Sequence, residues 1–475
     1  MIQGLGLMAA CKRGKRWMQR PTNSATRGVS LRPMLRTLLF LSLTALASSA
    51  EISFSRQIAP ILIDQCVECH RSGKAKGGYR LDSVELMLKA GDSESAPVLA
   101  GKPAESELYR LIATLDEDDR MPKKADALPE KEMKLIHEWI VSGARLDVAD
   151  KKAALRAIVP DKPKVQVPEK YPRPLPVTAL ALNPAGNPLA CSGYFETTLW
   201  DTATGKLQAR IDGMPERILA LAWTAEAQLA VAGGVPGRSG EVWLVNPSQP
   251  QERKRLVTAR DCVLAMVSSP DGKLLACGGA DNLVRCFELP SGKLKWQIEP
   301  HADWIMGMAF SPDSLHIATA SRDRTAKRIE AATGEIEATF TGHDCAVLSV
   351  AFSPDSKDAI SGDVEGEIRR WDRNGDAKKD STLKPGGRTE MLALDFLDAE
   401  TPVAAMGSGA VVSMDAKARK TKDKITRHED RVNVLLLQRI DKTARVITGC
   451  HDGKVRIHEI GKPEPVLQFV ASPGW

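Results

Sequence analysis

Aromatic residues make up only 5% of this 475-residue chain, which argues against an aromatic-lined sugar-binding surface. Long apolar runs are also missing. The one near the N-terminus, residues 38–47, is about half the length a helix needs to cross a bilayer. Hydrophobic residues at 43% and charged residues at 27% describe neither a disordered chain nor a multispan membrane protein. The first 50 residues hold eight Lys/Arg and no Asp or Glu. The formal charge of +6 is therefore misleading, because residues 51–475 carry 58 basic and 60 acidic residues, a net of −2. A nucleic-acid binder would keep a basic excess there, and this chain does not. The length is too great for one ordinary domain and suits two or three.

Arg32 and Arg36 precede the apolar run 38–47, and Ala47, Ser48, Ser49 and Ala50 follow it before Glu51. A charged start, a short apolar stretch and small residues at its end form a secretory signal. The expectation is a signal peptide over residues 1–50, with Met34 as an alternative start and the mature chain beginning near residues 48–51. The competing reading is an uncleaved membrane anchor. Export predicts a periplasmic or extracellular protein in an oxidising compartment, without a stable membrane span after cleavage.

Of the nine cysteines, Cys11 falls in the signal. Cys191, Cys262, Cys277, Cys286, Cys345 and Cys450 are scattered, mostly in apolar runs, and read as small buried hydrophobes. Cys277 and Cys286 flank an expected hairpin turn and are the one pair with a disulfide in reach. The remaining two belong to Cys66-Val67-Glu68-Cys69-His70. Cys-x-x-Cys-His is the attachment motif of c-type haem. Two thiols one helical turn apart can reach both vinyl groups, and the adjacent His70 serves as proximal iron ligand. The alternatives are a redox pair or half a zinc site, but no second Cys-x-x-Cys is present.

Electron transfer generally calls for a sixth iron ligand, and Met/His ligation raises the potential. Met87, Met121, Met133 and His137 are the candidates. Met121 lies in Asp119-Arg120-Met121-Pro122 between two expected helices, where Pro122 stiffens the loop. Met87 sits in an apolar stretch and reads as core. Met133, Ile136 and Ile140, with Trp139, have helical spacing over an expected helix at 129–142, so Met133 also reads as core. Met121 is the expected distal ligand, with His137 behind it.

Several runs now add up: Phe54 to Leu62, the Cys66–His70 motif, Lys76-Gly77-Gly78-Tyr79-Arg80-Leu81-Asp82, Val98 to Pro103, Glu105 to Leu108, Arg120-Met121-Pro122 and Trp139-Ile140. Through them, residues 52–146 resemble the planctomycete-type cytochrome c domain. The resemblance implies a small, mostly helical fold with one covalent haem c, and it supports Met121 as axial ligand by motif position. Lys123 stands where a second proline is common.

Residues 148–176 hold Pro160, Pro163, Pro168, Pro172, Pro174 and Pro176 among several lysines and read as a semi-rigid linker, in which 165–167 could add a strand. Beyond it the chain repeats. Ser-Pro-Asp recurs at 269–271, 311–313 and 353–355, and His301 and His343 keep the same 42-residue interval. With Trp200-Asp201 and Trp371-Asp372, a period of this length resembles the WD40 repeat. Phe287-Glu288, Ile329-Glu330 and His458-Glu459 read as degenerate forms of that mark. Units beginning near Val177, Arg217, Asp261, His301, His343, Arg388 and His428 predict an all-β, seven-bladed propeller over 177–475, following an all-α cytochrome c-like domain at 51–147. The second unit carries an insertion at 233–240, and the sixth lacks Ser-Pro-Asp.

His343, Ser361 and Trp371 resemble the network that ties WD40 blades together, with Glu365 standing where Asp is usual and Asp323 and Asp452 keeping the Asp elsewhere. A hydrolase reading fails because the pattern recurs blade by blade and no Gly-x-Ser-x-Gly elbow exists. The expected function is one-electron transfer by an exported cytochrome whose propeller binds a protein partner. On this reading the protein is a carrier and scaffold more than an enzyme, and its redox partner is unknown. The alternatives are a haem-based sensor or a quinone-dependent dehydrogenase; Ser291 to Trp296 resembles the docking motif of such propellers but occurs once. Residues 51–150 are net −5 and 151–475 net +3, an asymmetry that a basic redox partner, or docking between the two domains, would exploit. The basic run Lys417, Arg419, Lys420, Lys422, Lys424 and Arg427 reads as a solvated loop or a docking patch.

Overall fold

The computed structural model describes residues 51–475 apart from 68, 72, 124–126, 156–157, 161–164, 260, 418, 441–442 and 463. The signal expectation and Cys11 lie outside the described residues. Helices α1 (Ala59–Gln65), α2 (Val84–Met87), α3 (Glu107–Ala113) and α4 (Glu130–Val141) follow a π-helical turn at Phe54–Ile58. No described helix is long and apolar enough to cross a membrane. The chain forms two compact units, one from residues 51–58 with Ser95–Ala149, the other from Ala59–Glu94 with Asp150–Trp475.

In the first unit, α4 forms because Ile136, Trp139 and Ile140 recur on one face, and all three are buried. Glu130 and Glu132 in its first turn suit the positive end of the helix dipole. Gly143, with φ 103°, ends it by turning the chain back. Phe54 packs on Trp139 at 5.3 Å between ring centroids, and Trp139 Nε1 donates to the Arg145 carbonyl at 2.9 Å. Met133, read as core, is only half-buried on this helix.

In the second unit, residues 180–470 are all-β. Five four-stranded antiparallel meanders follow one seven-stranded sheet. Neighbouring sheets share apolar clusters, and the last packs against the first through Val177, Leu180, Ile447 and Val455. The second strand of each sheet is rich in small residues because both its faces are covered: Asp358–Asp363 and Thr401–Met406 are buried throughout. At Gly279 a Cβ would sit 2.1 Å from the Cys262 carbonyl oxygen, so only glycine allows that approach. Fourth strands such as Lys420–Arg427 are mostly exposed, and their lysines discourage edge-to-edge pairing.

The Ser-Pro-Asp recurrences are turns. Ser269, Ser311 and Ser353 Oγ donate to Asp271, Asp313 and Asp355 at 2.6, 2.5 and 2.7 Å. Each turn also reaches the next sheet: Asp271 N donates to Ser314 Oγ at 3.0 Å, and Asp313 N to Ser356 Oγ at 3.2 Å. The recurring serine and aspartate are thus local scaffolding.

Several expectations change. The units beginning at Val177 and Arg217 share one 17-residue strand, Leu207–Trp223, whose first half pairs with Tyr194–Trp200 and second half with Leu229–Val235. The insertion at 233–240 is the tip of a hairpin in which Val235 pairs with Ser239. The sixth unit is a complete sheet without Ser-Pro-Asp; Asp398 caps its first turn, accepting from Glu400 N at 2.9 Å. Of the basic run, Lys417 and Arg419 lie in a turn, while Lys420, Lys422, Lys424 and Arg427 belong to the strand Lys420–Arg427. Residues 165–167 form no strand. Downstream, Tyr171 is tied down: its hydroxyl donates to buried Glu196 at 2.7 Å, and Trp475 Nε1 donates to its carbonyl at 3.0 Å. Cys277 pairs with Arg285, and Cys286 with Ala276, so the two thiols face opposite sides of the sheet. No disulfide joins any of the described cysteines.

Candidate functional site

The motif begins where α1 ends. Cys66 N and Val67 N both donate to the Leu62 carbonyl at 3.0 Å. Cys69 N then donates to Cys66 O, and His70 N to Val67 O, each at 3.2 Å. These tight turns stack the two half-buried thiols and the imidazole over a few residues. His70 opens the strand His70–Arg71, which pairs with Lys74–Ala75.

Tyr79 organises His70. The two rings meet edge to face at 5.5 Å, and His70 Nδ1 lies 3.3 Å from the Tyr79 carbonyl. A carbonyl only accepts, so Nδ1 carries the proton and Nε2 keeps its lone pair. Burial holds the His70 pKa below 6.5, against backbone hydrogen bonds at Tyr79 and Lys76 that raise it. The imidazole is therefore neutral at neutral pH, which is its metal-binding form. The Tyr79 hydroxyl donates to the Met87 carbonyl at 2.8 Å, fixing this segment to α2. Burial, assisted by Cys66, raises the Tyr79 pKa, so the phenol stays protonated. Two thiols a turn apart, then a neutral imidazole with Nδ1 anchored, fit the requirements of a c-type haem. Tyr79 escaped the ligand search because its contribution is a main-chain carbonyl; its place in Lys76-Gly77-Gly78-Tyr79 was the only signal.

Cys66, Cys69, His70 and Met87 lie in the unit containing Ala59–Glu94; Met121, Met133 and His137 lie in the other. Met87 is fully buried and packs as core. Met121 is half-buried in a bend, its N–H donating to the Leu111 carbonyl at 2.9 Å. His137 is occupied by a ring contact with Tyr109 at 5.1 Å.

The blade network differs from its sequence reading. His343 Nδ1 meets Asp363 Oδ2 at 2.9 Å, and Nε2 meets Ser361 Oγ at 2.8 Å, to which Trp371 Nε1 donates at 3.2 Å. Asp363, not Glu365, is the acid; Glu365 is exposed and donates its N–H to Asp363 Oδ1 at 3.0 Å. His301 keeps the pattern, with Asp323 Oδ2 at 2.9 Å and Thr319 Oγ1 at 2.8 Å. His428 reaches Thr448 Oγ1 at 2.8 Å, but no hydrogen bond joins it to Asp452.

The family described as Planctomycete cytochrome C matches residues 66–125. The family described as WD domain, G-beta repeat matches 252–288, 292–328 and 334–372. Each repeat match of 292–328 and 334–372 begins in the turn before the last strand of one sheet and ends on the third strand of the next. The chain is 28% identical over 142 residues to WD repeat-containing protein VIP3 of Arabidopsis thaliana, covering 27% of this chain and 43% of that protein. The match thus spans less than half of that relative. With the helical segment and the repeating β-sheets already described, these matches agree with a fusion of a planctomycete-type cytochrome c segment with WD40 repeats.

Proposed function

We propose that this protein is an exported c-type cytochrome that transfers single electrons, with its WD40 repeats serving as a docking scaffold for a protein partner. The observation that carries the reading is the anchored imidazole: His70 Nδ1 on the Tyr79 carbonyl, one residue beyond the Cys66/Cys69 pair. Cys66 and Cys69 would hold a single haem c by thioether bonds, His70 Nε2 would be its proximal ligand, and Met121 its distal ligand. Such a haem supplies a one-electron iron couple when bound. The chain's own part is to keep His70 neutral, to fix its ring through Tyr79, and to set the segment against α2 through Met87.

The β region supports a seven-bladed propeller if the two halves of Leu207–Trp223 are counted as the fourth strand of one blade and the first of the next. WD40 repeats are interaction modules, and a periplasmic or extracellular setting follows from the signal-like residues 38–50.

Visible spectra of the mature protein, produced with haem c maturation and compared with a Met121→Ala variant, test the reading. The expected result is a low-spin spectrum that turns high-spin in the variant. A parent already high-spin would move a sensor ahead of an electron carrier and return Met121 to the loop. Absence of covalent haem would end the proposal.

A further inference from the structure

The last sheet departs from a contact that two earlier sheets share. In two earlier sheets the buried histidine gives its Nδ1 proton to an aspartate. His428 is only 2% exposed, yet its Nδ1 has no hydrogen-bond partner. Asp452 Oδ2 is likewise buried without one. Leaving a buried polar atom unsatisfied costs about 1–3 kcal/mol, so two orphans in one place need an explanation. Beside them is Cys450, fully buried at the end of the strand Thr443–Cys450, its thiol donating to the Asp430 carbonyl at 3.3 Å. A ring nitrogen of His428, Cys450 Sγ and a carboxylate oxygen of Asp452 all lie within 4.8 Å of one another.

The tautomer is set for ligation. The Thr448 hydroxyl donates to the Arg456 carbonyl at 3.4 Å, so its oxygen is left to accept from His428 Nε2–H at 2.8 Å. Nδ1 then carries a lone pair directed away from Thr448, the state a metal ligand requires, with a hydroxyl as its outer support. In the His301 and His343 sheets the aspartate contact instead places the proton on Nδ1. Two cations stand beside the cluster: Arg456, whose charge acts on His428, and Lys454, whose Nζ lies 3.9 Å from Asp452 Oδ2 and also 3.9 Å from exposed Glu429.

We propose that His428, Cys450 and Asp452 form a binding site for one zinc-class divalent transition-metal ion, which pins the turn after Thr443–Cys450 to the end of Lys420–Arg427. A mixed nitrogen, sulfur and oxygen set favours zinc over magnesium or calcium, which take oxygen ligands. Tetrahedral zinc holds its donors about 3.5 Å apart, so the side chains close in by roughly an ångström on binding. Cys450 coordinates as thiolate, and its proton passes to solvent as the ion enters. This site is independent of the haem reading.

The test uses the full mature chain carrying Cys66→Ser and Cys69→Ser, which removes the haem-site thiols. Titration with Co²⁺ should give a thiolate-to-cobalt charge-transfer band saturating at one equivalent. Zn²⁺ should displace it. Cys450→Ser should abolish the band, and Asp452→Asn should weaken binding about 10- to 100-fold. Far-ultraviolet circular dichroism checks that each variant is folded. A folded parent with no such band, or a band that survives in folded Cys450→Ser, overturns the proposal. If Cys450→Ser does not fold, the parent decides: thermal unfolding must shift upward with Zn²⁺ and return with chelator, and no shift overturns the site.

Discussion

His343 Nδ1 and Asp363 Oδ2 lie 2.9 Å apart with both side chains almost fully buried. Burial pushes the Asp363 carboxyl upward, but the hydrogen bonds from His343 and from Glu367 and Glu365 outweigh it and hold the pKa below 3.8. Asp363→Ala should therefore cost about 3 kcal/mol, because it strands a buried imidazole and two backbone donors. Glu365→Ala should cost less than about 0.5 kcal/mol, as an exposed substitution does. Urea unfolding followed by tryptophan fluorescence compares them. Equal costs would restore Glu365 to the role its spacing suggests.

Burial lowers the His301 pKa below 6.5, against Asp323, which raises it. Between the folded value and about 6.5, the unfolded chain holds a proton that the folded chain lacks. Stability from this group is thus full above that window and falls as pH drops through it. His301→Asn should flatten the pH dependence of thermal unfolding just below about pH 6.5 by up to about 1.4 kcal/mol per pH unit. An unchanged slope would mean that His301 titrates alike in both states.

Glu196 is completely buried and takes Arg210 at 2.6 Å and the Tyr171 hydroxyl at 2.7 Å. Glu196→Ala removes their shared carboxylate, leaving Arg210 the Pro168 and Glu169 carbonyls and Tyr171 the Tyr194 carbonyl, and should cost about 3 kcal/mol. Limited proteolysis should show faster cleavage N-terminal to Tyr171 in this variant. Tyr171→Phe, which loses only the hydroxyl, should show a milder effect of about 1 kcal/mol.

Cys66→Ala with Cys69→Ala should abolish haem staining on a denaturing gel, because no thioether can form. Tyr79→Phe should preserve staining, since its carbonyl still faces His70, and should lose about 1 kcal/mol of stability with the bond to Met87. Loss of staining in Tyr79→Phe would show that the phenol contributes to attachment itself.

Much of this was legible from residue order. The Cys66–His70 spacing, the apolar face of α4 and the 42-residue interval are local signals, and local signals survive folding. The acid that meets His343 was not legible, because the alignment of repeats places Glu365 at the interval of Asp323. Asp363, two residues earlier, takes the histidine while also capping the turn that Glu365 belongs to. The strand at Lys420–Arg427 was hidden by its charge: Lys420, Lys422 and Lys424 alternate with Thr421, Asp423 and Ile425, a period of two with few apolar residues to reveal it. The continuity of Leu207–Trp223 depends on pairing with strands on both sides, which no single stretch encodes.

The hold on Tyr171, and on Leu175, whose N–H donates to Ser472 Oγ at 2.8 Å, has a consequence for synthesis. Ser472 Oγ and Trp475 Nε1, which grip them, lie 297 and 304 residues further along the chain. At about 5–20 residues per second, a ribosome takes roughly 15–60 s to cover that distance. Throughout that interval the first sheet must wait with Val177 and Leu180 uncovered. A chaperone that shields this edge until residues 472–475 have emerged would cover a contact that spans 304 residues of chain.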